Sequence, residues 1–545
     1  MKHVLLLFAV LGTHCLCAQP SVQWMNTAGG FSTADTYHSA ADGTGHFYIV
    51  GVGLSDFDFG NGITLPYGRV IARYDSSGNI SWARSLNTDP NVVLSMNAIA
   101  ATLDGDLWVG GIFQTDTIAL DTFVLVNDPP NSSAFLARID SNGVVAFATA
   151  WSGSGLASDV SINDLWVDDQ GDVLATGAVW ADSIAIGGIS LSDTSGWKQL
   201  FVVKLDPSGQ ALWANMSHSQ QDPVMGGPEG RCISSDAAGN TVVAGILSGP
   251  LVMDGDTLDA DTVSTHAMLI TFDPAGALEH MELLPAECFP EDLTVDDAGN
   301  TYLCGMYYAT AAFDTDTLSS GGWYDGFVVA YAPDGTERWV VGVQGATHND
   351  LCRSISLSGA ADTLFVGGTF IGGAWFGDLY VPTDSSFTDG FVMQLDTAGT
   401  VGWVKDMTGD RQTYYAEACL DPWDHLYASG LIESQVTYLD HPVENSVGLS
   451  GHAFVVRFGD LLMAVPSGEP SSDVQLCPNP CNGTFSIALP ADASSVVIAD
   501  AQGRVVQRVK AFASQSATFH LDRSGIYSVT VLTAIGRVVR RVVVD

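Results

Sequence analysis

The sequence FVVKLDPSGQALW, residues 201–213, is a motif that the chain repeats along most of its length. It predicts two short strands joined by a tight turn. In that turn Asp206 accepts backbone hydrogen bonds, Pro207 sets φ, and Gly209 takes the positive φ that a side chain disfavours. Related copies, the last of them truncated, begin at Val70, Phe135, Met268, Phe327, Phe391 and Phe454. A hairpin repeated at long intervals indicates a repeat architecture.

Two further strand-like segments precede each hairpin. The first ends near an Asp-Gly turn, the second closes on glycine, and a short polar excursion follows before the hairpin begins. The closing glycines are spaced 59 to 68 residues apart, at Gly51, Gly110, Gly177, Gly245, Gly305, Gly367 and Gly430. The sequence therefore predicts seven units of four strands each.

The seventh unit lacks its own fourth strand, because it stops at Phe454–Phe458. A strand of the missing type lies near the start of the chain, where Trp24 precedes Gly30 by the same spacing that separates Trp339 from Gly345. If this strand pairs into the last unit, no sheet edge stays open. The pattern predicts a seven-bladed β-propeller closed by an N-terminal strand, with an open solenoid as the alternative.

The repeats also resemble a known family. Through the elements I/L-x-x-D…G-N-x-Y-x-x-G and F-V-x-K-L-D-x-x-G-x-x-x-W, residues 19–465 resemble the secreted β-propeller repeats of many bacterial exported proteins. The resemblance implies a β-propeller fold but does not identify a ligand. The chain departs from the pattern at His280, which replaces Trp in the fourth unit, and at Ala332, which replaces Asp in the fifth.

The beginning of the chain has the features of a secretory signal peptide, predicted here as residues 1–18. Lys2 and His3 precede the apolar run Val4–Leu11, and the segment ends at Ala18. Nothing else approaches the roughly 18 apolar residues of a membrane span. Seven cysteines follow the signal peptide, and Cys232, Cys304, Cys352 and Cys419 fall in strand-like runs that predict buried apolar positions.

The net charge of −41 is concentrated before Val465. That part has 13 basic and 55 acidic residues, a charge of −42, and the remainder has 7 basic and 6 acidic residues, a charge of +1. Such a field excludes nucleic acid and anionic membranes as partners and favours solubility and loose cation binding.

A polar linker, residues 466–473, leads to a segment of different composition, residues 474–545. Short alternating strands bounded by glycine turns predict a small immunoglobulin-like β-sandwich there. The segment resembles the type A sorting domain of type IX secretion cargo in Bacteroidota. The matching residues are Pro478, Asn479, Pro480, Gly483, Phe485, Asp500, Gly503, Arg504, Ser524, Gly525, Ile526, Tyr527, Gly536 and Arg537.

This resemblance implies export through the periplasm to the cell surface or extracellular space. It also implies two partners, the type IX secretion machinery and its C-terminal signal peptidase. Cys477 and Cys481 stand where the family has other residue types. The sequence leaves two alternatives for these cysteines, a small disulfide across Pro478–Pro480 or two separate thiols.

No nucleophile elbow, phosphate-binding loop, zinc-binding helix or EF-hand loop occurs in the sequence, which favours a protein that is not an enzyme. Carboxylates two residues apart on loops are candidate Ca²⁺ ligands, with a solvated turn as the alternative. The candidates are Asp254, Asp256, Asp314 and Asp316.

The sequence therefore predicts an exported binding or adhesion protein whose partner is a carbohydrate or a surface protein. One alternative is a secreted polysaccharide hydrolase or lyase with acids that converge at the centre of the propeller. The other is a purely structural surface protein. Of the tryptophans outside the repeated hairpin, about two or three are expected to be exposed, where they could stack on sugars.

Overall fold

A computed structural model of the protein divides the chain into two compact units. One spans Ser21–Gly459 and the other contains Asp460–Asp545. The structure describes residues 20–31, 37–53, 57–59, 62–89, 91–127, 130–155, 158–193, 195–219, 227–346, 348–383, 387–407, 412–432, 436–438, 441–443, 451–459, 476–477, 481–489, 493–499, 505–510, 516–521, 523–533 and 536–544. These residues form strands and turns and no helix, so the predicted all-β class is confirmed.

The described part of the first unit contains seven groups of four antiparallel strands, which we name sheets 1 to 7. The pairing of Phe31 with Gly53 joins sheets 7 and 1 into one eight-stranded sheet, and sheet 5 is extended to six strands by a hairpin of sheet 6. Sheet 1 comprises His38–Ala41, Phe47–Gly53, Gly68–Tyr74 and Ile80–Asn87. Sheet 2 comprises Leu94–Ala101, Leu107–Phe113, Ser133–Ile139 and Val145–Trp151. Sheet 3 comprises Asp159–Val167, Val173–Trp180, Gln199–Leu205 and Ala211–Met216. Sheet 4 comprises Glu229–Ser235, Thr241–Leu247, His266–Phe272 and Leu278–Ala286.

Sheet 5 comprises Cys288–Val295, Thr301–Ala312, Thr317–Tyr331 and Glu337–Gly345. Sheet 6 comprises Leu351–Leu357, Thr363–Ile371, Thr388–Asp396 and Val401–Met407. Sheet 7 comprises Thr413–Leu420, Leu426–Ile432, Gly451–Phe458 and, from the start of the chain, Val22–Phe31. The pairing of this last strand runs from Val22 opposite Phe458 to Phe31 opposite Gly451. The N-terminal strand therefore occupies the place of the fourth strand that the seventh repeat lacks.

Short extra strands lie between the second and third strands of the sheets, where the sequence has its polar excursions. They form the hairpins Phe57–Asp58 with Thr64–Leu65, Thr117–Leu120 with Phe123–Val126, Ser183–Ile186 with Ile189–Ser192, Leu251–Met253 with Asp256–Leu258, Ala374–Phe376 with Leu379–Val381, and Val436–Tyr438 with His441–Val443. Three of these hairpins pair with the chain that leaves the preceding sheet, at Gly153–Ser154, His218–Ser219 and Val343–Gly345. Each such pairing fastens one sheet to the next.

The first strands of the sheets contact one another in chain order, and the first strand of sheet 7 contacts that of sheet 1. Apolar side chains fill the space between successive sheets. Between sheets 7 and 1, for example, Tyr427 and Val455 pack with Phe47 and Val70. Each sheet is thus buried on both faces, which explains the long apolar runs and the low content of charged residues.

The aromatic residue and the turn glycine of the repeated hairpin are explained by a contact between sheets. The Trp24 ring, on the fourth strand of sheet 7, lies over Gly78 in a turn of sheet 1, where a Cβ atom would stand 2.7 Å from it. The same contact recurs for Trp82 over Gly143, Phe147 over Gly209, Trp213 over Gly276, His280 over Gly335 and Trp339 over Gly399. Each glycine also has positive φ, so turn conformation and packing both require it.

The C-terminal unit has two sheets. Three strands, Leu476–Cys477, Thr484–Ala488 and Ser516–His520, form one sheet, and Ala493–Ala499, Val505–Lys510, Gly525–Thr533 and Gly536–Val544 form the other. Both sheets contribute to one apolar core that includes Phe485, Phe519, Ile498 and Val529.

Several sequence predictions fall on this unit or beside it. Gly483 has φ +89°, and the Tyr527 hydroxyl donates to the Arg523 carbonyl oxygen over 2.8 Å. Cys481 is a buried free thiol in this structure, which does not form the disulfide alternative. The signal peptide, the linker 466–473, and Pro478, Asn479, Pro480, Asp500, Gly503 and Arg504 lie outside the described residues.

Candidate functional site

One end of the sheets of the first unit collects most of the long connections. In an antiparallel sheet of four strands, the segment between the second and third strands and the segment that leaves the fourth strand lie at the same end. The extra hairpins belong to these segments, and we call this end of the first unit the hairpin face. The opposite end carries tight turns between the strands, together with Ser21 and Gly459, whose backbones are hydrogen-bonded.

The predicted calcium ligands lie on the hairpin face and are exposed. Asp254 and Asp256 stand on the hairpin of sheet 4, and Asp314 and Asp316 connect two strands of sheet 5. The backbone N–H of Asp314 donates to a carboxylate oxygen of Glu337 over 2.8 Å. No group of three or more metal-ligating side chains occurs among the described residues. Calcium binding at these four aspartates stays a prediction.

The hairpin face is also rich in exposed aromatic side chains. Trp323 is 73% exposed, Trp375 is 51% exposed, and Trp180 is about half exposed. Trp423 is exposed as well, but it lies in a turn at the opposite end. Four of the tryptophans outside the repeated hairpin are therefore exposed, more than the sequence led us to expect.

Sheet 5 presents the largest aromatic group. Its second and third strands extend beyond the sheet as one long hairpin, in which Tyr308 pairs with Tyr324. The rings of these two tyrosines are 5.6 Å apart, and the Phe289 ring lies 5.9 Å from that of Tyr324. Trp323 is the neighbouring residue and is almost fully in solvent. We call Phe289, Tyr308, Trp323 and Tyr324 the aromatic hairpin.

A second aromatic pair stands on the next sheet. Trp375 and Tyr380 are directly opposite each other in the hairpin of sheet 6, with ring centroids 5.1 Å apart, and both are about half exposed. An exposed aromatic ring keeps apolar surface in contact with water, which is unfavourable unless a ligand covers the ring. Clustered rings on neighbouring sheets therefore indicate a candidate binding surface.

The centre of the first unit is lined by the first strands of the sheets. Six of them carry a β-bulge at the same place, at Asn97, Asn163, Arg231, Glu291, Arg353 and between Tyr414 and Glu417. The Asn163 amide donates to the Gly230 carbonyl oxygen of the next sheet over 2.8 Å. Glu291 lies between two cations, 3.5 Å from Arg231 and 3.1 Å from Arg353. The bulged side chains therefore link one sheet to the next.

In sheets 3 and 5 the residue after the bulge makes a second link. Asp164 accepts the Ile233 N–H of sheet 4 over 2.8 Å, and Asp292 accepts the Ile355 N–H of sheet 6 over 2.8 Å. Burial raises the pKa of Asp164 to about 7 and that of Asp292 well above its ordinary value. No single copy of the repeat reveals these links, but the polar bulge residue five positions before the turn, at Asn97, Asn163, Arg231, Glu291 and Arg353, is a signal that alignment of the repeats would have found.

Near the aromatic hairpin, two aspartates are buried without a cation. Asp325 follows Tyr324 directly, and Asp350 lies at the entry to sheet 6; both are 0% exposed. Burial raises the pKa of Asp325 to about 6 and that of Asp350 to about 8. Sequence reasoning missed both residues, since neither belongs to a recognisable motif.

The comparisons with known proteins identify the C-terminal unit. Residues 475–545 match the family model described as the secretion system C-terminal sorting domain. The chain is therefore an exported all-β protein with a type IX sorting domain, delivered to the cell surface or the extracellular space and handled by the type IX machinery. The described residues include no helix able to cross a lipid bilayer.

No curated protein matches the sequence. Among solved structures, the chain is similar to hydrazine synthase of Kuenenia stuttgartiensis, at 10% identity and a TM-score of 0.38, over 81% of this chain and 100% of that one. It is similar to an endosialidase of phage phi92, at 10% identity and a TM-score of 0.36, over 97% of this chain and 87% of that one. A protein of unknown function from Bacteroides caccae matches at 12% identity and a TM-score of 0.33, over 62% and 89% of the two chains.

Proposed function

We propose that the first unit is a seven-bladed β-propeller closed by the N-terminal strand, and that it binds neutral carbohydrate through the aromatic hairpin. The sheet order supports the propeller, because the first strands contact one another in sequence from sheet 1 to sheet 7 and back. The C-terminal unit is an immunoglobulin-like sandwich that the C-terminal signal peptidase removes after export. Its two sheets around one core support this assignment.

The observations that carry the binding proposal are the group of rings at Phe289, Tyr308 and Tyr324 and the exposed ring of Trp323, the next residue in the strand. Aromatic rings stack on the apolar faces of pyranose rings, and such contacts need no charge on the ligand. The surface around them belongs to a protein of net charge −41, which repels acidic glycans. A neutral polysaccharide therefore suits this surface better than a uronic-acid polymer.

The carboxylates at the centre do not favour the alternative of glycoside hydrolysis. Glu229 pairs with Lys198 and Arg231, Glu291 pairs with two arginines, and Glu417 lies 3.5 Å from His38. A general acid or nucleophile needs an oxygen free to meet the glycosidic bond. These acids instead connect successive sheets, so we place ligand binding on the hairpin face.

Affinity electrophoresis of the secreted protein through gels with neutral or uronic-acid polysaccharides tests the proposal. We expect retardation by a neutral polymer and none by an acidic one. Trp323→Ala should weaken retardation about fivefold or more, since a stacking contact is worth about 1–3 kcal/mol. Trp423→Ala, an exposed tryptophan at the opposite end, is the matched control. Equal retardation of the two variants, or none of the wild type by any neutral polymer, would reject the assignment.

A further inference from the structure

Asp325 and Asp350 come from different sheets and meet beneath the aromatic hairpin. The Asp350 N–H donates to the Tyr324 carbonyl oxygen over 2.9 Å, which joins the two segments. Asp325 Oδ2 accepts the Gly321 N–H over 2.8 Å, and Asp350 Oδ1 accepts the Ile371 N–H over 3.0 Å. The Ser320 hydroxyl near Asp325 and the Gly345 N–H near both carboxylates also act to lower their pKa values, against the larger effect of burial. The other oxygens, Asp325 Oδ1 and Asp350 Oδ2, are buried and have no hydrogen-bond partner among the described residues.

Glycines near Asp350 leave room for oxygen atoms that a Cβ atom would displace. Asp350 Oδ2, the oxygen without a partner, lies directly against Gly345, where a Cβ atom would collide with it. The Gly345 carbonyl oxygen would likewise collide with a Cβ atom on Gly321, and the His348 carbonyl oxygen with a Cβ atom on Gly322. The backbone of Gly321 and Gly322 and that of Gly345 and His348 therefore pack closely beside Asp350 where sheets 5 and 6 meet.

Several other buried acids of the described residues have compensation that this pair lacks. Asp42 lies 2.9 Å from the Arg73 guanidinium, and Asp421 lies 2.7 Å from His425. Asp164 has a backbone N–H donor for each of its two oxygens. No ion pair within the described part of the chain involves Asp325 or Asp350. Because a buried charge without compensation costs several kcal/mol, the two carboxylates need either a proton or a bound cation to be stable in the fold.

We propose that Asp325 and Asp350 bind a divalent cation, Ca²⁺, at the base of the aromatic hairpin. Calcium takes six to eight oxygen ligands from carboxylates, backbone carbonyls and water, which is the donor type that this place offers. The strongly negative field of the protein attracts the ion, and the site lies on a protein exported to surroundings outside the cytoplasm. Since Asp325 directly follows Trp323 and Tyr324, the ion orders the strand that presents these rings.

Thermal unfolding of the full mature chain tests the site, with EDTA, CaCl₂ or MgCl₂ added to protein stripped of metal. We expect millimolar Ca²⁺ to raise Tm by several degrees and Mg²⁺ to do less, because Mg²⁺ demands a stricter geometry. Asp350→Asn keeps the shape and the acceptor for the Ile371 N–H but removes a charge. The variant should lose the Ca²⁺ effect and match or exceed the wild type in EDTA.

The control is Asp389→Asn. Asp389 occupies the corresponding position of the next sheet, is equally buried, and accepts a hydrogen bond from the Thr383 hydroxyl over 3.0 Å. This variant should keep the Ca²⁺ effect. Isothermal titration with CaCl₂ should likewise show one site that Asp350→Asn removes. If Ca²⁺ does not change the wild-type Tm, or changes that of Asp350→Asn equally, the pair shares a proton instead and the proposal fails. These measurements contain no glycan, so their outcome does not depend on whether the protein binds carbohydrate.

Discussion

At the scale of the residue, a contact between an aromatic ring and a turn glycine recurs between successive sheets and holds them together. Trp24 shows it at the junction of sheets 7 and 1. Its ring lies over Gly78, its indole N–H donates to the Ser76 carbonyl oxygen over 3.0 Å, and its edge contacts Tyr427. The Trp24 side chain is half-buried. It therefore contributes less to the free energy of unfolding than a core tryptophan does, but far more than a surface tryptophan.

We expect Trp24→Ala to lower the free energy of unfolding by about 3 kcal/mol, the lower limit for deletion of a buried tryptophan, because packing and a hydrogen bond are lost together. Urea unfolding followed by circular dichroism measures the change. Trp423→Ala, in an exposed turn, should stay within about 0.5 kcal/mol of the wild type. A Trp24 variant as stable as the Trp423 variant would show that the ring does not hold the two sheets together.

At the scale of the element, the N-terminal strand decides whether sheet 7 has an open edge. Val22–Phe31 pairs along the whole of Gly451–Phe458, and its Ala28 side chain is buried in the core shared with sheet 1. Without this strand, sheet 7 would expose a row of unpaired N–H and C=O groups.

Deletion of residues 19–30 should therefore lower Tm by about 5 °C, as expected for a loss of several kcal/mol in a unit of this size. It should also promote association through the open edge. A synthetic peptide of residues 19–31 should restore Tm, and a peptide of the same composition in scrambled order should not. An unchanged Tm in the deleted protein would exclude closure of the unit by this strand.

At the scale of the whole molecule, acids buried around the centre make stability depend on pH. Asp164 and Asp292 have raised pKa values because burial disfavours the charged form. On the strands packed around them, Glu417 and His38 are the nearest charged groups. Burial lowers the pKa of His38, but the hydrogen bond and the charge of Glu417 prevail and raise it. All three groups therefore hold protons more tightly in the folded protein.

Because the folded state binds these protons more tightly than the unfolded chain, stability must fall as pH rises through the window between the two pKa values. For Asp164 this window runs from about 4 in the unfolded chain to about 7 in the fold. We expect Tm in EDTA to be higher at pH 5.5 than at pH 8. Asp164→Asn should reduce the difference. A Tm that increases with pH over this range would contradict the assignment.

The sequence by itself determined the features that depend on neighbours along the chain. The turn of FVVKLDPSGQALW needs Asp206 and Gly209 for local hydrogen bonds and positive φ, and the alternation of apolar residues makes each strand recognisable. The repeat count, the missing fourth strand of the last unit and the sorting motif could all be read in this way. They predicted the all-β class and the route of export, and each rests on short-range chemistry.

The tertiary structure alone decided which side chains meet across sheets. Asp325 and Asp350 are ordinary carboxylates in the sequence, and Asp389 stands in the same place of the repeat as Asp325. Only the packing of sheet 5 against sheet 6 shows that the first two are buried together with unpaired oxygens. The exposure of Trp323 and the burial of Trp108 are likewise set by the position of each strand end relative to its neighbours. Burial and pairing are properties of the assembled sheets, so residues distant in sequence acquire them only when the chain closes on itself.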